Sequence, residues 1–235
     1  MAEGIITRRG FKKFNQFDPF NEGSLIDGWL FNGDYTGLRN NGATGVSNSS
    51  FTTGIDDQAV SFNGTNTDIQ FPTKLVPEGN DARSVSFWAF LNSTSTDKRM
   101  LAYASGTHGS SDGAFDIEPN IYGSPGYWGV YFWPNNLTFL GASDVNYDVW
   151  EHICVTHSGG PAGSGTKLYR NGNYVGNLSG ANIDFNTSSA TTHEIGYRTY
   201  TSSSPLALDG AMDTLRLFSK ELTAAEVKYL YDNGG

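Results

Sequence analysis

The stretch TKLYRNGNYVG, residues 166–176, decides the fold class. Asn171-Gly172 stands between two runs suited to extended backbone, and this pair accepts the positive φ angles of a two-residue hairpin turn. The spacing predicts two antiparallel strands folded back on each other at residues 171–172. The same kind of run recurs on both sides, in QAVSFNG (58–64), SVSFWAFL (84–91), RMLAYA (99–104), GVYFW (129–133), WEHICVTH (150–157) and TLRLFS (214–219). Clusters of Gly, Asn, Ser and Asp separate these runs. Regular short strands with turn signals between them predict a β-sandwich or barrel.

One segment reads as a helix, LTAAEVKYLYDNGG at residues 222–235. Thr223 followed three positions later by Glu226 forms a capping box, and Val227, Leu230 and Tyr231 make a narrow apolar stripe. So short a helix is expected to pack onto the sandwich.

The 235 residues are 37% hydrophobic, 14% aromatic and 17% charged, with 29 glycines. This is apolar material enough for one large core, and too little charge for a coiled coil or a disordered chain. Cys154 is the only cysteine, which excludes an internal disulfide and a cysteine-based zinc site. Charge is divided unevenly. Arg8, Arg9, Lys12 and Lys13 against Glu3 give residues 1–13 a charge of +3, while the remainder holds 11 basic and 23 acidic residues, or −12. An acidic body repels phosphates, so nucleic acid is not an expected partner. No segment has the apolar length of a membrane span. In MAEGIITRRGFKKF the charges follow the short apolar piece, so the start does not read as a secretory signal.

Several stretches imitate catalytic or metal-binding motifs. GPAGSGTK (160–167) has Thr166 before Lys167, the reverse of a phosphate-binding loop, and runs into the hairpin instead of a helix. GSSDG (109–113), with Ser111 central and His108 nearby, lacks the strand and helix a nucleophile elbow requires. AFDIE (114–118) places Asp116 and Glu118 on one face of a strand, but Ala114 stands where a third carboxylate would complete a glycosidase pattern. His152 and His157 are an odd number apart on a strand and face opposite ways, while His152 and Cys154 alone do not make a metal site.

Taken in order, DGWLFNGD (27–34), DDQAVSFNGTNTDIQFP (56–72), SVSFWAFLNS (84–93), WEHICVTHSG (150–159), KLYRNGNYVG (167–176), HEIGYR (193–198) and LDGAMDTLRLFSKELTAAEVKYLYDNG (208–234) form a series. It resembles the laminin-G-like, concanavalin A-like lectin jelly-roll domains of phage structural proteins and bacterial surface proteins, over about residues 25–233. The resemblance implies an all-β fold, a two-sheet antiparallel jelly-roll sandwich over 25–235, to which the residues themselves add one short C-terminal helix and an extended basic arm over 1–24. It also implies binding of glycans or proteins, and a structural calcium ion between the opening segment and the last strand. The matching positions are Asn32, Asp34 and Asp213, with Asp209 as a further contributor. Arg170 replaces the usual apolar residue, which places that hairpin position toward solvent.

GYWGVYFWP (126–134) is aromatic on both faces when read as a strand. Trp128, Val130 and Phe132 point one way, Tyr127, Tyr131 and Trp133 the other. In a sandwich one set fills the core. Tyr127, Tyr131 and Trp133, joined by Trp88, are then the candidate ligand-binding residues, since their rings can stack on sugars. Two other readings stay open, rings covered by loops and a protein or homo-oligomer interface.

The expected function is that of a non-catalytic virion surface protein, a capsid decoration or a tail or fibre component. Arg8, Arg9, Lys12 and Lys13 would anchor it to other virion proteins, and the sandwich would bind host glycans. The alternatives are a polysaccharide-degrading enzyme using Asp116 and Glu118, and a bacterial surface adhesin module.

Overall fold

Arg170 stands opposite Asn173 across Asn171 (φ 49°) and Gly172 (φ 75°), the two-residue hairpin that the sequence encodes. The structure is a computed structural model and describes residues 19–20, 22–92, 101–103, 115–119, 127–132, 135–139, 145–178, 184–185, 187, 193–199 and 205–234. The basic arm with Arg8, Arg9, Lys12 and Lys13 lies outside the described residues, as does Trp133.

In chain order the strands are β1 (Leu25–Trp29), β2 (Gly45–Ser47), β3 (Ser50–Thr53), β4 (Gln58–Asn63), β5 (Asp68–Phe71) and β6 (Arg83–Leu91). Next come β7 (Leu101–Tyr103), β8 (Phe115–Pro119), β9 (Trp128–Phe132), β10 (Asn135–Thr138), β11 (Trp150–His157), β12 (Thr166–Arg170) and β13 (Asn173–Asn177). The last are β14 (His193–Ile195), β15 (Tyr197–Thr199), β16 (Pro205–Ala207) and β17 (Asp209–Phe218), before the C-terminal helix Ala224–Asp232.

Eight strands form the larger sheet, in the order β13-β12-β11-β6-β17-β4-β3 with β1 also paired to β17. Seven form the smaller, β10-β9-β8-β7-β14-β5-β2, and β15-β16 make a separate ribbon. The long strand β17 takes β4 along Asp209–Met212 and β1 along Leu215–Phe218, while its other edge pairs with β6. The register to β6 shifts between Asp213 and Arg216, where Thr214 has a φ of 52°. One extra residue there re-aims the side chains beyond it.

Register and alternation together separate inside from outside. Val46, Ile69, Ile195, Leu101, Ile117, Val130 and Leu137 occupy facing register positions across all seven strands of the smaller sheet. From this apolar row Ile69, Ile117, Val130 and Ile195 pack with Val60, Val85, Phe87, Ile153, Val155 and Met212 of the larger sheet. Trp29, Phe71 and Trp128 complete this main core. Trp128 and Val130 are fully buried there, so one face of the aromatic strand belongs to the interior.

A second, smaller core lies on the outer face of the larger sheet. Leu25, Cys154, Tyr169 and Phe218 pack beneath Leu222, Val227 and Leu230 of the C-terminal segment. The helix begins at Thr223, whose side chain accepts the Glu226 amide while the Glu226 carboxylate accepts the Thr223 amide. The central strands β6, β11 and β17 of the larger sheet are therefore buried on both faces. Arg170 corrects the solvent-facing expectation: its guanidinium pairs at 2.5 Å with Glu151, and both side chains are largely buried. Glu151 supplies the counter-charge that lets an arginine replace an apolar residue.

Candidate functional site

The residues between those of the apolar row face the other way. Gly45, Gln70, Glu194, Ala102, Asp116, Tyr131 and Asn136 occupy facing register positions across the smaller sheet. Seven strands at about 4.8 Å spacing make this outer row roughly 29 Å long. A parallel row two residues away carries Asp68 opposite Ser47, and Glu118 and Thr138 each opposite Gly129. The face thus combines carboxylates, amides, a tyrosine position and the small residues Ala102 and Gly129.

Tyr127 stands just before β9 and is 42% exposed. Position 131 stands opposite Asp116 in the β8–β9 register. Asp116 is fully buried and Glu118 half-buried, so the two acids predicted to share a face do so at different depths. Asp68 accepts the Gln70 amide at 2.9 Å, and burial raises its carboxyl above the ordinary range. Its other oxygen, Oδ1, is buried and has no hydrogen-bond partner among the described residues. The sequence reading did not single out Asp68, Gln70 or Glu194. The signal was present in TDIQF (67–71), where polar residues alternate with the core residues Ile69 and Phe71.

Trp88 is placed elsewhere, which corrects its assignment to this face. It belongs to β6 of the larger sheet, is 7% exposed and lies under the C-terminal helix, its ring stacked on Tyr231. A helix far along the chain covers the second face of β6, and local alternation carries no sign of that cover.

Of the residues expected to hold calcium, Asn32 and Asp213 meet at one turn, while Asp34 and Asp209 serve other partners. Asn32 Oδ1 accepts the Gln58 amide at 3.0 Å, and Asp213 Oδ2 accepts the amides of Ile55 and Asp56 at 2.7 and 3.1 Å. Asp213 Oδ1 accepts the Thr214 hydroxyl, and Asp34 caps the Thr36 amide at 2.8 Å. Asp209 accepts from the Asn92 side chain. These oxygens face N–H and O–H donors, whereas calcium needs several oxygens converging on one point. Among the described residues no three His, Cys, Asp or Glu side chains are grouped to hold a metal ion. The residues as arranged do not fit a calcium site; Asn32 and Asp213 secure the turn at 54–58.

Asp27 is the missed structural acid. Fully buried, it accepts the amides of Gly28, Arg39 and Asn41 and the Asn41 side chain. His152, His157 and His193 are buried and neutral, burial lowering them to about 3, 4 and 4. His152 packs under the helix against Trp88, whereas His157 contacts Phe185, and the two do not meet. Cys154, its thiol pushed up by complete burial, belongs to the second core. No helix among the described residues is long and apolar enough to cross a membrane.

The family profile described as the concanavalin A-like lectin/glucanases superfamily matches residues 63–228. No curated protein sequence matches the chain. Among solved structures, domain 4 of AbnA, a GH43 extracellular arabinanase from Geobacillus stearothermophilus in complex with arabinotriose, superposes with a TM-score of 0.70 at 20% identity. That match covers 88% of this chain and 98% of the other. The binding domain of botulinum neurotoxin serotype G gives 0.60 at 18% identity, covering 88% of this chain and 50% of that one. Trypanosoma rangeli sialidase in complex with the inhibitor DANA gives 0.55 at 14% identity, covering 83% of this chain and 30% of the sialidase. At these identities the likeness shows a shared fold.

Proposed function

The chain belongs to the concanavalin A-like lectin/glucanase superfamily, and we propose that it is a non-catalytic, glycan-binding virion surface protein. The outer face of the smaller sheet is the binding surface. The observation that carries this reading is the set of half-buried acceptors Asp68, Gln70, Glu118 and Glu194 on neighbouring rows of this face, whose register also includes the aromatic position 131, with Asp116 fully buried beneath them. Sugar hydroxyls donate to carboxylates and amides, and the apolar face of a pyranose or furanose stacks on a tyrosine ring. Asp68, Glu194, Asp116 and Glu118 make these rows acidic, with no Lys or Arg among the paired positions. The surface therefore favours neutral or amino sugars over sialylated and sulfated ones. The arabinotriose bound by the arabinanase domain is a neutral sugar, which is consistent with this choice.

The display role is supported by polarity within the fold. Phe20 packs against Phe218 and Tyr229, at 5.7 and 6.0 Å between ring centroids, and Glu22 pairs with Lys220. The N-terminal segment thus joins the sandwich on the outer face of the larger sheet, opposite the acidic row. Attachment of the basic arm, residues 1–24, to a particle would leave the binding surface directed outward. A glycosidase reading would need a substrate to reach Asp116, and Asp116 is fully buried.

The experiment is a glycan array with the full chain, repeated on a polysaccharide incubated to detect product release. Retention of neutral glycans without cleavage is expected. Cleavage would replace binding by hydrolysis, and an array with no retained glycan would overturn the reading. Purified particles that lack the protein would overturn the virion role separately.

A further inference from the structure

Arg216, His152 and Trp88 lie on the outer face of the larger sheet and are 3%, 0% and 7% exposed. They come from the neighbouring strands β17, β11 and β6. Trp88 stands opposite both Asp213 and His152, and Arg216 stands opposite Ser86. The Trp88 and His152 rings are 5.4 Å apart, and Tyr231 closes over them at 5.6 and 6.0 Å. Arg216 fits here because Gly28, its partner on β1, has no side chain: a Cβ on Gly28 would come within 3.1 Å of Arg216 Cγ.

Among the described residues, Arg216 Nη1, Trp88 Nε1 and His152 Nδ1 are all buried without a hydrogen-bond partner. His152 spends its other ring nitrogen on the Ser86 hydroxyl at 2.8 Å. Asp213 and Asp56 are the carboxylates whose field reaches Arg216, but among the described residues neither forms an ion pair with it. Asp213 is turned instead to the amides of the 54–58 turn and to Thr214. Buried polar groups are hydrogen-bonded as a rule, and a buried cation without a counter-charge is costly. Three such groups on one patch, one of them a guanidinium and one an indole N–H, are complementary to a single kind of occupant.

We propose that this patch binds a small oxyanion, a phosphate or carboxylate group, held by Arg216 and the Trp88 indole N–H beside His152 and beneath Tyr231. The site is separate from the acidic face of the smaller sheet and independent of its ligand. Guanidinium groups bind planar and tetrahedral oxyanions through paired N–H donors, and the Trp88 indole can only donate.

The test is a titration of the ¹⁵N-labelled full chain, following the indole N–H resonances of its five tryptophans. Trp88→Phe assigns the Trp88 signal. Inorganic phosphate and acetate are added in separate arms against sodium chloride at matched ionic strength. A saturable shift of the Trp88 signal is expected in at least one arm, and the arm that saturates identifies a phosphate-type or a carboxylate-type site. Arg216→Met keeps the aliphatic stem and removes the charge, and it is expected to abolish the shift. Absence of saturation in both arms, or saturation that persists in Arg216→Met, would overturn the proposal. The wild-type titration decides the matter even where the variant does not fold.

Discussion

The ring of Tyr231, on the C-terminal helix, stacks on that of Trp88 in the larger sheet, with centroids 5.6 Å apart and planes 25° from parallel. This contact ties the last helix to a strand from the first half of the chain. It also removes Trp88 from the proposed glycan-binding face. Tyr231→Ala should lower stability by about 2–3 kcal/mol, through lost packing and a partly filled gap over the sheet. Glycan binding on the opposite face should be unchanged. Urea unfolding monitored by far-ultraviolet circular dichroism measures the first, and calorimetric titration with a glycan selected on the array measures the second.

Asp27 holds the 37–41 loop through the main-chain amides of Arg39 and Asn41 and the Asn41 side-chain amide, and it also accepts the amide of Gly28. Asp27→Ala would leave those buried or half-buried donors unmatched, and a loss of about 3–5 kcal/mol is expected. The midpoint of urea unfolding should fall sharply with little change in slope. A loss below about 1 kcal/mol would show that the loop finds other partners.

Acid should unfold the protein before its carboxylates are exhausted. His152, His157 and His193 have folded values of about 3, 4 and 4 against an ordinary 6.5, all depressed by burial. The unfolded state binds the extra protons, so their contribution is complete above pH 6.5 and is lost as the pH falls toward 4. Asp213 acts in the opposite sense. Burial raises it from 3.8 to about 6, so its neutral form is favoured in the fold and its contribution declines as the pH rises through that window. Asp68, also raised by burial, acts in the same sense as Asp213, so three groups against two leave a net uptake of about one to two protons on unfolding near pH 5, or roughly 1.5–2.5 kcal/mol of stability lost per pH unit on acidification. Asp213→Asn should steepen this slope by about 1 kcal/mol per unit. Urea unfolding at intervals across the mildly acidic range measures both, and a stability that is flat or rises on acidification would contradict the assignment.

Local devices were legible in the sequence. Asn171-Gly172 and the Thr223–Glu226 capping box act within a few residues, so their chemistry is complete in the local string. The double-sided aromatic strand also read correctly on its inner face, where Trp128 and Val130 enter the core. What could not be read depends on partners far away in sequence. Trp88 looks like a surface ring until the helix is folded over it, and Arg170 looks solvent-facing until Glu151 is placed beside it. The acidic row has the same origin. Gln70, Glu194 and Asp116 become neighbours only through the pairing of β5, β14, β7 and β8, and no local window contains all three.

The central claim, that the outer face of the smaller sheet binds a neutral glycan, is tested most directly at Tyr127 and Tyr131. Calorimetric titration of a glycan selected on the array is carried out with the wild type and with the Tyr127→Ala/Tyr131→Ala double variant. The account predicts at least a tenfold weaker association for the double variant, about 1.4 kcal/mol or more, with thermal unfolding close to that of the wild type. Equal affinities for the two proteins would contradict it.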